Sequence, residues 1–407
     1  MKNAVRVYGL QRSGALGGER STALDGAPAP LTRTPERTLN LRVGDVVEVR
    51  SREEILRTLD ENGCLDALPF MPEMLRFCGQ RFHVYKRADK TCDTIVHPAG
   101  RRMTNAVHLA DVRCDGAAHG GCQAGCLIFW KEAWLKPVGK AATLSRSMEL
   151  SSCDEAALYR AAQPDADGDA HARYYCQATE LRKATSALPW WDVRQYIRDV
   201  TSGNVGLLHL VRVGGIAAFN AVIRQTRRIV FGVGHLLQGR RTVTPEPRGA
   251  SATTVASAAA VAPDQGRGTA HQGIVGGVKT ILDRMLMEYP GIRGSLQSTP
   301  SAALNLQPGE LVQIKSKEEI LRTLDINNRN RGLSFDVEMV PYCGGIYRVL
   351  RRVERIINEK TGKMMKFAND CIVLEEVVCT SCYSRNRLFC PRSIYPYWRE
   401  IWLTRVK

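Results

Sequence analysis

The sequence predicts a mostly β protein with short helices, of the α+β class, in which two duplicated small β-barrel domains are joined by a helical, basic arm and a flexible linker. Residues 41–89 recur at residues 306–354 without a gap, and 21 of these 49 positions are identical. Within each copy, short runs alternate apolar and polar residues, as half-buried strands do. At 407 residues the chain exceeds the usual size of one hydrophobic core.

The match resumes after an insertion and pairs Cys114 with Cys382, Cys122 with Cys390, and two tryptophans with Trp398 and Trp402. Each copy is about a hundred residues long, a normal size for a domain. These limits predict five regions: a disordered N-terminal segment 1–40, a first repeat 41–138, a helical basic connection 139–247, a flexible linker 248–300 and a second repeat 301–407.

Local signals assign the elements of one copy in order. VVEVRS, from Val46, follows a Gly-Asp turn and predicts a strand. SREEILRTLD predicts a short helix, because Ser51 and Glu54 have the spacing of a capping box. RFHVYKR predicts a further strand, and in the second copy KTGK from Lys360 predicts a hairpin turn. CLIFWKEAWL, from Cys126, predicts a helix with its two tryptophans on one buried face.

The opening glycine, the acidic residue after it and the alternating Val/Ile strand resemble an SH3-like barrel of the KOW kind. The whole pattern also looks like uncharacterised bacterial tandem-repeat proteins. The resemblance implies a small barrel for each copy and assigns no functional residue.

The net charge of +16 favours an acidic partner, such as a nucleic acid or an anionic lipid. Residues 205–248 hold seven arginines against one acid, and residues 306–407 hold eighteen basic against twelve acidic side chains. A nucleic acid would therefore bind through the second repeat and the basic arm. The arm is predicted to pack across both barrels; peripheral membrane contact is the alternative, and no transmembrane span is predicted. The N-terminus has no secretory pattern, so a cytoplasmic location is expected.

Thirteen cysteines in a reducing compartment are expected to serve as metal ligands or reactive thiols rather than as disulfides. In the second copy, Cys371, Cys379, Cys382 and Cys390 offer four thiolates for a structural Zn²⁺ site. The alternative is that Cys371 lies in the core and the others are ordinary thiols.

In the first copy, the predicted zinc ligands are Cys114, His119, Cys122 and Cys126, with Asp111, Asp115 or His108 nearby. Interleaved glycines allow this short loop to adopt positive φ angles. Four bound side chains would make a closed structural site, whereas three would leave an open position for water or substrate. A metal-free alternative makes Cys122 or Cys126 a nucleophile activated by His119.

No P-loop, dinucleotide-binding glycine pattern, His-Glu-x-x-His motif or nucleophile elbow is present. The sequence therefore predicts a zinc-binding tandem-repeat accessory or scaffold protein, with an open metal site on the first repeat. The alternatives are a basic nucleic-acid-binding module braced by structural zinc, and a Cys/His-dependent enzyme.

Overall fold

The computed structural model describes residues 38–95, 99–139, 153–162, 172–218 and 291–406. The predicted N-terminal segment 1–40 and linker 248–300 lie mostly outside the described residues. From Thr38 onward the chain forms one compact unit.

The first repeat contains nine short strands: β1 (Val46–Val49), β2 (Cys64–Leu65), β3 (Leu68–Pro69), β4 (Arg81–Arg87), β5 (Lys90–Asp93), β6 (Ala99–Arg102), β7 (Ala106–Leu109), β8 (Trp130–Lys131) and β9 (Leu135–Pro137). A tenth, β10 (Ser186–Leu188), follows in the connecting region. The main sheet has the order β8-β7-β4-β1-β9, and a second sheet has the order β10-β6-β5. All pairs are antiparallel.

The second repeat contains eight strands: β11 (Leu311–Ile314), β12 (Arg329–Asn330), β13 (Leu333–Ser334), β14 (Ile346–Arg352), β15 (Arg355–Ile357), β16 (Met364–Lys366), β17 (Ile372–Leu374) and β18 (Leu403–Arg405). Its main sheet has the order β17-β14-β11-β18, which matches β7-β4-β1-β9 of the first repeat. Both sheets interrupt their register at the same point, after Val84 and after Val349.

The α+β class is thus confirmed, with most regular structure in sheets. Both main sheets are open among the described residues, because no strand pairing joins their edge strands. The closed barrels remain a prediction.

The helices are short: α1 (Arg52–Leu56), α2 (Glu155–Ala162), α3 (Gln177–Glu180), α4 (Arg194–Thr201), α5 (residues 207–218) and α6 (Lys317–Leu321). The predicted capping box of Ser51 and Glu54 is present, and Ser316 and Glu319 repeat it. The turn predicted at KTGK joins β15 to β16. Among the described residues, no helix is long and apolar enough to span a bilayer.

The helix predicted from Cys126 is wrong. Leu127 makes an isolated bridge with Arg113, Trp130 begins β8, and Glu132–Trp134 form one 3₁₀ turn before β9. A spacing of four residues places two side chains on one side of a helix, but an even spacing does the same in an extended chain. The predicted burial is confirmed, because Trp130 and Trp134 are fully buried.

The second repeat builds the same corner. Trp398 and Trp402 are also fully buried, and the indole of Trp402 donates to Thr323 as that of Trp134 donates to Thr58. Between each tryptophan pair lies a buried glutamate that accepts backbone N–H groups from the start of its own repeat. An arginine of the central strand pairs with it, Arg87 with Glu132 and Arg352 with Glu400. In both copies the corner therefore fixes the segment that leads into the first strand of the sheet.

Candidate metal centre

A cavity of about 50 Å³ lies where the two repeats meet. The four residues predicted as first-copy ligands all line it, namely Cys114, His119, Cys122 and Cys126. The connecting region adds Cys176, and the second repeat adds Ile357, Glu359 and Arg392. Backbone contacts hold the two repeats together beside it: Gln123 N–H donates to the Arg355 carbonyl at 3.1 Å, and Ile357 N–H donates to Cys122 Sγ at 3.4 Å. The predicted site thus lies at a contact between the repeats.

Three potential ligand atoms of different chemistry come together beside this cavity. Glu73, Cys114 and His119 each offer one such atom, and these atoms lie within 4.8 Å of one another. Glu73 is in a 3₁₀ turn (Pro72–Phe77), whereas the other two belong to the loop after Val112. Glu73 and His119 are both buried. Within the described part of the chain, this is the one group of three such residues.

The two carboxylate oxygens of Glu73 have different surroundings. Oε1 accepts from Ala118 N–H at 3.1 Å and lies 2.6 Å from Nδ1 of His119, and the Cys114 thiol donates to it at 3.9 Å. Oε2 is buried and has no hydrogen-bond partner among the described residues. A buried oxygen without a partner is costly, so this atom has an unused capacity to bind a ligand.

Hydrogen bonding fixes the orientation of His119. Its Nε2 lies 3.0 Å from the carbonyl oxygen of Tyr175. A carbonyl oxygen only accepts, so Nε2 carries the hydrogen and donates it. The other nitrogen, Nδ1, lies 2.6 Å from Glu73 Oε1, so one hydrogen is shared between these two atoms, and a metal ion bound at Nδ1 would take its place. Metal-binding histidines commonly donate the second ring N–H to a backbone carbonyl in this way, which leaves the first nitrogen to the metal.

The loop that carries Cys114 and His119 is tightly wound, as its glycines predicted. Gly116 has φ of +74°, and a Cβ there would lie 2.1 Å from the carbonyl oxygen of Cys122. Gly120 has φ of +59°, and a Cβ there would lie 2.4 Å from the hydroxyl of Tyr174. Only glycine fits either position without strain.

Cys122 and Cys126 line the cavity but do not join the group of three. Burial raises the pKa of Cys126 to about 11 and raises that of Cys114 above its usual range. The helix predicted from Cys126 is absent, so no helix N-terminus stabilises a thiolate there. His119 is hydrogen-bonded to Glu73 and to the Tyr175 carbonyl, not to Cys122 or Cys126, so the geometry gives the metal-free nucleophile no support.

The four cysteines predicted as the second-copy site have separate surroundings. Cys371 packs in a buried cluster with Val353 and Val373. Cys379 Sγ lies 3.4 Å from the Ser381 hydroxyl, and Cys382 Sγ lies 3.5 Å from Nε2 of His209. Cys390 is buried beside Cys92 of the first repeat, and the interaction between the two thiols lowers the pKa of Cys92.

The second repeat also contains the counterpart of Glu73. Glu338 is buried in the corresponding 3₁₀ turn, Val337–Tyr342. Its Oε1 accepts from Tyr383 N–H at 2.8 Å and Ser384 Oγ at 2.9 Å, and its Oε2 accepts from Cys382 N–H and Thr380 Oγ1, both at 3.1 Å. Both oxygens are therefore satisfied by the chain itself.

Sequence reasoning missed Glu73. A signal was present, because Glu73 and Glu338 are one of the identical pairs between the copies, and Glu73 follows the apolar run LPFMP. A charged residue that both copies retain among apolar neighbours indicates a buried, partnered carboxylate.

Comparison of the chain with known proteins finds no matching family model, no matching curated protein and no matching solved structure.

Proposed function

We propose that the chain is a metal-binding accessory or scaffold protein whose first repeat binds one divalent transition-metal ion, zinc, through Glu73, Cys114 and His119. The observation that carries the proposal is the buried Glu73 oxygen without a partner, beside a thiol and an imidazole. Carboxylate, thiolate and imidazole are the three side-chain groups that zinc binds in proteins.

The donor set fits zinc better than the hard cations. Mg²⁺ and Ca²⁺ prefer oxygen ligands throughout, whereas this group holds one sulfur and one nitrogen. Ligand atoms of one tetrahedral zinc ion lie about 3.3–3.8 Å apart, given bonds of about 2.0–2.3 Å. Because the ligand atoms lie at most 4.8 Å apart, a contraction of at most about 1.5 Å brings them to this spacing, and the 2.6 Å between Glu73 Oε1 and His119 Nδ1 must widen to reach it.

Three protein ligands would leave a fourth position open. Cys114 and His119 line the cavity between the repeats, so a water or a small ligand could reach an ion held there. An ion bound there would brace the loop through which Cys122 and Gln123 contact the second repeat.

The scaffold is proposed to be a pair of opened SH3-like barrels. The matched strand orders and the matched register shifts of the two sheets support a common ancestral fold. Pairing between the two edge strands of each sheet, observed by crystallography, would show that both barrels are closed.

The proposal is tested by titrating Zn²⁺ into the full chain, purified without a histidine tag and stripped with a chelator under reducing conditions. A chromophoric competitor reports the affinity and the number of sites. Glu73→Gln and Cys114→Ser are expected to lose one tight equivalent. Their matched controls in the second repeat, Glu338→Gln and Cys382→Ser, should retain it.

Two further variants test the wider cysteine sets. Cys122→Ser is expected to leave the tight equivalent in place, because Cys122 lies outside the group of three. Cys390→Ser, in the same zinc titration, tests the four-cysteine site predicted for the second repeat. If Glu73→Gln and Cys114→Ser bind zinc as the unaltered chain does, the proposal is wrong.

A further inference from the structure

A second cavity, of about 70 Å³, lies between α4 and the first repeat. Its basic lining consists of Arg87, Lys90, Arg102, Arg194 and Arg198. Asp89 and Asp199 are the acidic residues of the lining. A single water needs roughly 10–15 Å³ of such space, so the cavity has room for about five waters or for one tetrahedral oxyanion.

Lys90 lies at the base of this cavity. It is buried, it pairs with the buried carboxylate of Asp199, and its ammonium lies 5.1 Å from the ring centre of Tyr196 and 5.4 Å from that of Phe389. An ammonium has three N–H donors, and the described residues provide one carboxylate oxygen for them. Burial lowers the pKa of Lys90 and raises that of Asp199. The base of the cavity therefore retains donor capacity where water is scarce.

The rim is formed by one face of α4. Arg194 and Arg198 are four residues apart, so they lie on the same side of the helix. Arg194 and Arg102 share the carboxylate of Asp192, at 2.9 Å and 2.6 Å. The hydrogen bond from Arg194 lowers the pKa of Asp192 to about 2, so this carboxylate is ionised.

Arg198 differs from the other basic residues of the lining. Arg87 donates to Asp89, Glu132 and the Leu41 carbonyl. In the chain as described, the guanidinium of Arg198 has no hydrogen-bond or ion-pair partner. When the outside partners Asp192 and Glu132 are counted, five positive charges meet four negative ones. The uncompensated charge lies at Arg198.

We propose that this cavity binds a phosphate group, with Arg198 and Arg194 at its rim and Lys90 at its base. Guanidinium groups bind phosphate through paired N–H donors, and an ammonium binds it as a point charge. The partly enclosed position strengthens both interactions relative to water. This inference is independent of the zinc proposal, since none of these residues belongs to the metal centre.

The phosphate could belong to a soluble ester or to a lipid headgroup. Trp190 and Trp191 precede α4, at the end of the helix that carries Arg194, and they are 46% and 65% exposed. Gln195, which lines the cavity, donates to the Pro189 carbonyl beside them at 2.9 Å. Exposed tryptophans are common where a protein meets a membrane surface. The phosphate is the shared chemistry, and vesicles distinguish the two sources.

The test is calorimetric titration of inorganic phosphate into the full chain at low ionic strength, with sodium chloride of matched ionic strength as the blank. Arg198→Gln is expected to weaken binding about tenfold or more, since the variant loses a charge-assisted hydrogen bond to the phosphate. Arg322→Gln is the matched control, because Arg322 is an exposed arginine of the second repeat that lies outside the cavity. It should bind phosphate as the unaltered chain does.

Co-sedimentation with vesicles of phosphatidylcholine and phosphatidic acid forms the second arm. Binding that Arg198→Gln weakens and free phosphate competes away identifies a headgroup, whereas phosphate binding without vesicle binding identifies a soluble ester. Either result supports the phosphate site. The inference fails if inorganic phosphate shows no saturable binding, or if Arg198→Gln and Arg322→Gln bind it equally.

Discussion

Glu73 of the first repeat and Glu338 of the second occupy the same position of the same fold, yet their oxygens differ in what they bind. Glu338 accepts four hydrogen bonds, two at each oxygen. Among the residues that the structure describes, Glu73 has all its partners on Oε1 and none on Oε2. The same buried carboxylate thus has hydrogen-bond partners on both oxygens in one copy and on only one oxygen in the other.

The difference originates in the cysteine loop that each glutamate meets. In the first copy the loop presents a thiol and an imidazole, and in the second it presents backbone N–H groups and two hydroxyls. His119 stands where the second copy has Arg387. One copy of a duplicated fold can therefore keep this glutamate in a structural role, whereas the other copy leaves the equivalent glutamate free to bind a ligand.

The largest expected effects test whether the buried tryptophan corners of the two repeats are equivalent. Trp134→Ala and Trp402→Ala should each lower the free energy of unfolding by about 3–5 kcal/mol, because each empties a fully buried site. Trp191→Ala is the control; its side chain is 65% exposed, and the change should stay within about 0.5 kcal/mol. Urea unfolding followed by circular dichroism measures all three. A cost below about 1 kcal/mol for one tryptophan only would break the equivalence of the two corners.

Substitution of the two glutamates should distinguish a loss of stability from a loss of metal binding. Glu338→Gln is expected to cost about 2–3 kcal/mol, because the new amide faces at least one backbone N–H that then has no acceptor. Glu73→Gln should cost less than about 1 kcal/mol in the metal-free chain, because the amide oxygen can keep the donors of Oε1. Urea unfolding in the presence of a chelator checks this order. A larger loss for Glu73→Gln than for Glu338→Gln would contradict the comparison.

A buried histidine should give the first repeat a pH dependence that the second lacks. His108 pairs with Lys86 in the sheet at the register where Val373 pairs with Arg351. Burial lowers the pKa of His108 to about 3; the Ile128 carbonyl accepts from its Nδ1, and Arg392, Arg113 and Lys86 are the charged groups around it.

The folded chain therefore resists protonation that the unfolded chain accepts near pH 6.5. The stability that the neutral imidazole contributes is complete above about pH 6.5 and declines as the pH falls toward 3. The loss due to His108 should be about 2 kcal/mol between pH 7.5 and pH 5. His108→Val, which copies Val373, should flatten this part of the profile, whereas His83→Gln at an exposed position should not. An unchanged slope in His108→Val would show that the imidazole is not the source.

The smallest expected effect concerns the two helix caps. Ser51→Ala and Ser316→Ala remove the hydrogen bond that each serine accepts from the helix backbone, at 3.3 Å and 3.2 Å, and Ser316→Ala also removes the bond of 2.6 Å from its hydroxyl to Glu319 Oε2. Each should lower the free energy of unfolding by about 1 kcal/mol. Thermal unfolding compares them directly, and a difference of more than about 0.5 kcal/mol between them would show that the two helix starts are not equivalent.

Features set by neighbouring residues could be predicted from the sequence. The strands after each Gly-acid turn, both capping boxes and the turn at Lys360 depend on residues a few positions apart. The burial of the tryptophans also followed from their apolar neighbours. The local path around Trp130 did not, because a spacing of four residues suits both a helix and an extended chain.

The metal centre could be predicted only in part. Cys114 and His119 were found because they lie close together in the sequence. Glu73 and the Tyr175 carbonyl come from distant segments, and only the fold brings them to His119. Cys122 and Cys126 are equally close in sequence, but the winding of the loop at Gly116 and Gly120 places them elsewhere along the cavity.

The most direct test of the contrast between the two glutamates is cobalt binding. Co²⁺ commonly substitutes for zinc, and a cobalt ion bound to a thiolate absorbs in the near ultraviolet through charge transfer from sulfur. One equivalent of Co²⁺ added to the reduced, metal-free chain should produce this absorption, which Glu73→Gln and Cys114→Ser should abolish and Glu338→Gln and Cys382→Ser should retain. Undiminished absorption in Glu73→Gln and Cys114→Ser would contradict the account.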